Sequence, residues 1–435
     1  MGKSENDTQA RSCGGADGID TGRNVMLPWG CYWLPCRAAG LRMKRVLLDN
    51  LKPGMLLGRS MVNDRGTLLL NRGTELTKDY IGAFKDRGYR SIYIAEDPAD
   101  SNVVPDEDLS QQTRARAVEV LAQSLQTAFQ LVSGLRSLSL EKQLRELESP
   151  QFQAAFARTK AFRELENVVS TILDDVLGRE ALSGLVSLKT HSDRIYQHSI
   201  DVTVVAIGIG SVIGLRPDYL RSLALGCLLH DIGVIFIDEK IVANSDGLSL
   251  DDWEIYKTHT VLGYNLLRND REILFPHVAY EHHERQDGSG YPRGIRGSNT
   301  VKRDRTQPGP VPSVVGEIAA VADLFDILSS DTLVRPAYPP EEAAKIMRRA
   351  GGGSLNSGVL KGFFSVVPPF PVGTEVQVSG GRFDGFSGIV VEVRKGALDK
   401  PTILLTRDSK GKKIEPDELD LRWEEEEATL VSLGA

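Results

Sequence analysis

All seven histidines of this 435-residue chain fall between His191 and His283. Five of them stand in arrangements that suit a metal centre: His198, the pair His230-Asp231, His259 and the doublet His282-His283. Scattered surface histidines do not cluster in this way. Neutral imidazole with carboxylate is a ligand set for borderline metals such as iron, manganese or zinc. The fold must therefore bring side chains from well-separated segments to one place.

The local patterns show how it can. His230 and Asp231 close the apolar run Leu220–Leu229, and Gly233 supplies a helix stop. Neighbouring residues on a helix diverge by about 100°, so both can turn to one cavity only where the helix ends. Asp231 could then serve two ions with its two oxygens. His282 and His283 meet the same constraint, and Asp287, Gly288 and Gly290 terminate their helix. His198 precedes the apolar run Ile200–Val212, and His259 lies inside a helix predicted over Asp252–Leu267. Asp323 sits in the apolar run Ile318–Asp326, where a lone carboxylate is costly without a cation. Taken singly, each histidine is more often a hydrogen-bonded core residue. The set of five with two acids, drawn from several helices, is not explained that way. His191 and His277 read as ordinary polar positions.

Hydrophobic content of 41%, charged content of 26% and a formal net charge of −7 describe an ordinary globular chain with no general basic footprint. A coat for a nucleic-acid polymer is disfavoured. Three of the four cysteines (Cys13, Cys31, Cys36) precede residue 40, and Cys227 lies in an apolar run, which is no disulfide framework. Cys31 and Cys36 could be half of a zinc site, but no second pair follows. No stretch reads as the roughly 20 apolar residues of a membrane span. A reduced, cytoplasmic setting without membrane attachment is expected.

The expected fold class is mostly α. Residues 1–43 read as a disordered leader, with Met43 as a second candidate start. Residues 44–98 read as a small α+β module with a helix capped by Thr77, and 99–160 as a linker and amphipathic helix that ends at Pro150. Residues 161–365 form the helical domain. Residues 366–435 form a small β unit with strands around Val376–Val378, Gly388–Val393 and Thr402–Leu405, then an acidic tail from Glu424. Val118, Leu121, Leu125, Phe129 and Val132 form a stripe that suggests a homodimer.

The segments His230-Asp231-Ile232-Gly233, His259 with Gly263, His282-His283-Glu284 through Asp287-Gly288-Ser289-Gly290-Tyr291-Pro292, and Val321–Asp326 resemble the HD-GYP family of HD phosphohydrolases. The resemblance covers about Glu166–Phe364. It implies an all-helical, HD-type metal phosphohydrolase domain that hydrolyses cyclic di-GMP to linear pGpG, or on to GMP, through a hydroxide bridging two divalent ions, iron or manganese. Carried over, the ligands are His198, His230, Asp231, His259, His282, His283 and Asp323, with His230 and Asp231 as the catalytic pair. Asp287 would orient its neighbours as a second shell. Gly290, Tyr291 and Pro292 would line the substrate cavity or meet a cyclic di-GMP synthase domain, and Arg335 would contact a phosphate.

Three features depart from the family pattern. Val234 stands where a lysine is usual, which removes a cation. Arg194 stands where members with a third metal carry an acid, which favours two ions. The run Ser298–Val314 is long and reads as a disordered loop. Two alternatives therefore stay open: a catalytically weak receptor for cyclic di-GMP, and an HD phosphohydrolase for another phosphorylated substrate.

Overall fold

In a computed structural model of the chain, the structure describes residues 43–58, 61–62, 68–71, 73–86, 91–95, 108–159, 162–178, 181–182, 194–243, 247–268, 274–302, 309–330, 337–423 and 428–433. The expected leader up to residue 42, Arg335, His191, residues 303–308 of the Ser298–Val314 run and the acidic run 424–427 lie outside these residues.

The N-terminal module follows a period of two. Strand β1 (Met43–Leu47) pairs antiparallel with β5 (Ser91–Ala95), which also pairs with β2 (Leu56–Leu57), and β3 (Met61–Val62) pairs with β4 (Leu68–Leu70). Ile92 and Ile94, two apart on β5, both point inward onto Leu57, Leu76 and Phe84. Helix α1 (Lys78–Asp86) begins where Thr77 Oγ1 accepts the Tyr80 amide at 3.2 Å.

Next come α2 (Gln111–Val132), α3 (Leu140–Leu147), α4 (Pro150–Thr159) and α5 (Arg163–Leu177). Two readings are corrected here. The helix expected to run on to Leu147 is cut by a turn at Gly134–Leu138, and Pro150 opens a helix rather than only ending one. Proline suits the first helical turn because its missing N–H has no partner there anyway. The α2 stripe is spent within the chain, where Val118, Leu121 and Val132 are buried in a core that also takes in Leu165, Ile172 and Ile200.

The same core, running from Leu109 to Val367, is built by α6 (Arg194–Val212), α7 (Pro217–Leu228), a 3₁₀ turn (Ile232–Phe236), α8 (Glu239–Ala243), α9 (Leu250–Leu267), α10 (Phe275–Glu281), α11 (Val314–Ser329), α12 (Pro340–Ala350) and α13 (Ser357–Phe363). Helix α6 is apolar on nearly every side because it lies at the centre, against α5, α7, α11 and α13. The expectation that no segment has the length and apolarity of a membrane span is corrected by this centrality. Ile195–Val212 and Pro217–Phe236 reach mean hydropathies of 1.2 and 1.4, and 67% of each is buried inside the domain.

The C-terminal unit is a five-stranded antiparallel sheet in the order β10-β6-β7-β8-β9: β6 (Glu375–Ser379), β7 (Ser387–Glu392), β8 (Thr402–Arg407), β9 (Lys413–Asp420) and β10 (Thr429–Ser432). The edges β9 and β10 were not legible. β9 is charged, mostly exposed and carries Pro416, a composition tolerated only at a sheet edge.

Candidate metal centre

Each candidate ligand is delivered by a local backbone feature. His198 sits on α6, immediately before the stretch Ser199–Gly210 that is buried throughout. His230 and Asp231 lie between α7 and the 3₁₀ turn, where Leu229 (φ −115°, ψ 11°) and Asp231 (φ −96°, ψ 11°) leave the helical well. That break lets two consecutive side chains converge. The 3₁₀ turn lies directly on α9, and a Cβ on Gly233 would come within 1.9 Å of the His259 carbonyl oxygen. Glycine at this point is what lets Asp231 approach His259. His282 is the C-cap of α10 and His283 follows it. Asp323 and Asp326 are three residues apart on α11 and both are buried.

The side chains meet. The donor atoms of Asp231, His259, His282 and His283 all lie within 4.8 Å of one another, and those of His198, His230 and Asp231 do likewise. Asp231 belongs to both groups through different oxygens. Its Oδ1 is 3.4 Å from His259 Nε2 and 3.5 Å from His282 Nε2, while its Oδ2 is 3.3 Å from His230 Nε2 and 3.9 Å from His198 Nε2. Asp323 Oδ1 joins the second group, 3.2 Å from His198 Nε2.

Hydrogen bonds on the far side of the rings fix the tautomers. His230 Nδ1 donates to the Cys227 carbonyl (2.8 Å), His259 Nδ1 to Tyr256 (2.6 Å) and His282 Nδ1 to Val278 and Ala279 (both 3.1 Å). His198 Nδ1 donates to Asp326 Oδ2 at 2.7 Å. Every one of these rings thus turns Nε2 inward, which is how metal-ligating histidines are usually oriented.

Electrostatics differ between the two groups. Burial alone would raise the Asp231 carboxyl, but His230, His282 and His259 hold it well below the usual carboxylate range. Burial, with repulsion from His282 and His230, takes His259 down to about 4 against the pull of Asp231. Burial beside His282 and His259 also holds His283 well below its ordinary value. These imidazoles are neutral at pH 7. In the other group burial opposes protonation, yet Asp323 and Asp326 push His198 up to about 10, and Asp231 raises His230.

A cation fits this arrangement. His259 Nε2 and His282 Nε2 face each other at 3.5 Å, both beside Asp231 Oδ1. Asp323 Oδ2 is buried without a hydrogen-bond partner among the described residues. Imidazoles and carboxylates buried together in this way are the donor set that a positive ion takes.

Tyr291 forms one wall. Glu284 Oε1 and Oε2 accept the Arg293 (2.8 Å) and Ile295 (3.1 Å) amides, Arg293 is bonded to Glu281, and Glu281 Oε2 accepts the Ser313 amide at 2.6 Å. The loop so folded returns over His283, whose carbonyl accepts the Tyr291 amide at 3.1 Å, and the two rings stack 4.6 Å apart. A Cβ on Gly290 would meet that carbonyl oxygen at 2.4 Å. Gly290 and Pro292 flank Tyr291, and the Tyr291-Pro292 peptide is cis.

The structure thus gathers His198, His230, Asp231, His259, His282, His283 and Asp323 around one centre, with Gly290, Tyr291 and Pro292 beside it. Asp287 departs from its expected role. It is exposed and its carboxylate accepts from Ser289 N (2.9 Å) and Oγ (2.6 Å), closing a turn instead of orienting a ligand. Orientation falls to Asp326, which the sequence reading overlooked although it shares the apolar helix argument made for Asp323. Val234 is half-buried, and its amide donates to the Asp231 carbonyl at 2.9 Å. Lys257 Nζ stands at the rim, 6.0 Å from the Tyr291 ring centre and paired with Glu254 at 2.7 Å. His277 pairs with Glu281 at 3.3 Å.

Comparison with known proteins agrees with this geometry. Residues 182–355, which contain every candidate ligand, match the model of the HD domain. A cyclic di-GMP phosphodiesterase of Pseudomonas aeruginosa is 30% identical over 227 residues, covering 51% of this chain and 50% of the relative. A cyclic di-GMP phosphodiesterase of Thermotoga maritima is 29% identical over 226 residues, covering 51% and 56%. A 3′3′-cGAMP-specific phosphodiesterase of Vibrio cholerae is 29% identical over 202 residues, covering 45% and 44%. The chain spans about half the length of the curated relatives it matches. Helical fold, paired histidine groups and a shared His-Asp dyad converge on one assignment: residues 182–355 form an HD domain.

Proposed function

We propose that the chain is a metal-dependent phosphodiesterase that hydrolyses cyclic di-GMP, releasing linear pGpG and then, if the second bond is cut, GMP. The observation that carries this reading is the division of Asp231, whose two oxygens face two separate histidine groups. Such a carboxylate suits two divalent ions, iron or manganese: His259, His282 and His283 would hold one, and His198, His230 and Asp323 the other. When bound, the ions supply Lewis acidity, easing deprotonation of water at neutral pH and neutralising phosphoryl charge.

The chain's own residues do the rest. The Nδ1 hydrogen bonds hold the imidazoles in the ligating tautomer. Asp326 fixes His198. The Glu284-Arg293 loop holds Tyr291 against His283, so the diester is met by a rigid wall. Gly290, Tyr291 and Pro292 line the substrate side. The rim beyond them, where Arg293, Gly294 and Arg296 are exposed, is the place for a synthase-domain partner.

A second substrate reading comes from the Vibrio cholerae relatives, three of which carry the name 3′3′-cGAMP-specific phosphodiesterase. One assay separates the two. Full-length protein loaded with manganese or iron is given each cyclic dinucleotide, and products are resolved by chromatography. Hydrolysis of cyclic di-GMP that disappears in His230→Ala and Asp231→Ala supports the first reading. Turnover unchanged in both variants would end it, and preference for 3′3′-cGAMP would replace the substrate.

A further inference from the structure

Helix α9 carries more than a ligand. Trp253, Tyr256 and His259 recur at intervals of three, so they lie along one side of the helix and lead from its surface to the metal centre. The Trp253 and Tyr256 rings are nearly parallel, 5.9 Å apart with 15° between their planes. The Tyr256 ring is 4.9 Å from that of His259. From the opposite side Tyr291 stands edge-on to Trp253 at 5.7 Å while stacking on His283.

Core packing does not account for this row. The core-facing residues of α9, Leu262 and Leu266, are sealed at 1% and 0% exposure, whereas Trp253, Tyr256 and Tyr291 are only half-buried. Three large rings left partly open put aromatic surface on the rim of a candidate phosphoryl-transfer centre. Lys257, 6.0 Å from the Tyr291 ring centre and ion-paired with Glu254 at 2.7 Å, adds a charged pair at the same rim. Flat aromatic surface with an adjacent cation suits a heterocyclic base joined to a phosphate.

We infer that Trp253 and Tyr256, faced by Tyr291, form a stacking platform for a purine base of the substrate. The inference rests on the phosphodiesterase reading and adds to it the part of the substrate that this face of α9 recognises. Ions and imidazoles act on the phosphodiester. The platform selects diesters that carry bases and holds them in register.

The test compares cyclic di-GMP with bis(p-nitrophenyl) phosphate, a diester without bases, on manganese-loaded full-length protein. Trp253→Ala and Tyr256→Leu are expected to raise KM for cyclic di-GMP by about tenfold, the scale of one lost base-aromatic stack. Their loss on the base-free diester is expected to be several-fold smaller, and Trp253→Phe to recover most of the KM because it keeps a ring. The leucine variant retains an apolar helix side chain, so a folding failure of Trp253→Ala does not remove the test. Equal losses on both substrates, or an unchanged KM for cyclic di-GMP in both variants, overturn the platform. Wild-type protein that cleaves the base-free diester but no cyclic di-GMP overturns the cyclic di-GMP reading itself, and the platform with it.

Discussion

Gly233 and His259 touch through their backbones: a Cβ on the glycine would lie 1.9 Å from the histidine carbonyl oxygen and 2.7 Å from the Gly263 nitrogen. The 3₁₀ turn after the His-Asp pair is therefore pressed onto the helix that supplies another candidate ligand. Asp231 reaches both histidine groups only because this contact is so close.

Gly233→Ala should push the turn away from α9. The added methyl meets backbone, which cannot swing aside, so a cost of about 3 kcal/mol is expected, at the upper end for overpacking. Metal content should fall in parallel, because Asp231 moves with the turn. Thermal unfolding and metal analysis of the purified variant check this, and an alanine variant with wild-type metal content and melting temperature contradicts it.

Asp326 acts on the centre through His198 Nδ1, at 2.7 Å. Asp326→Ala should weaken metal binding by about 10- to 100-fold, as loss of such a partner to a ligating histidine commonly does. Asp326→Asn keeps an acceptor and should lose less. Competition titration with a chelator measures both, and equal affinity in wild type and alanine variant would show that His198 needs no such support.

Protons should compete with metal at one group and not the other. His259, down at about 4, and His283, also lowered, are neutral through the physiological range, and Asp231 is ionised. His198 without metal keeps its proton up to about pH 10, and His230 is raised as well. An ion entering beside His198 must displace that proton. Its affinity should therefore fall as pH falls, by about tenfold per unit while one proton is exchanged. The ion beside His259, His282 and His283 should persist to about pH 5. Metal content measured from pH 8.5 to 5 should step from two ions to one. Simultaneous loss of both would contradict the separation.

Glu284 should matter to substrate more than to metal. Its carboxylate accepts the Arg293 and Ile295 amides and so folds the loop that carries Tyr291. Glu284→Ala leaves these amides without their acceptor, a cost of about 1–3 kcal/mol. The expected result is a raised KM for cyclic di-GMP with metal content retained. Loss of metal with an unaltered KM would place the effect on His283 instead.

The sequence carried far into this protein because helical periodicity and cap residues are local signals. Histidines and acids recurring in apolar helical runs pointed to a shared cation, and the structure does bring His198, His230, Asp231, His259, His282, His283 and Asp323 together. Thr77 as a cap and the strands at Val376, Gly388 and Thr402 followed from equally local patterns. The charged edge β9 did not, since edge strands need no buried face and leave little pattern to read.

By itself, then, the sequence determined that imidazoles and carboxylates from several helices had to share one centre, because water-free burial of each alone is too costly. Only the tertiary structure decided which Asp231 oxygen faces which histidine group, that Asp326 and not Asp287 bonds one of those histidines, and that Trp253, Tyr256 and Tyr291 line one rim. His198 and Asp326 are 128 residues apart in the chain. Their meeting depends on how α6 crosses α11, and no local pattern encodes a crossing between distant helices.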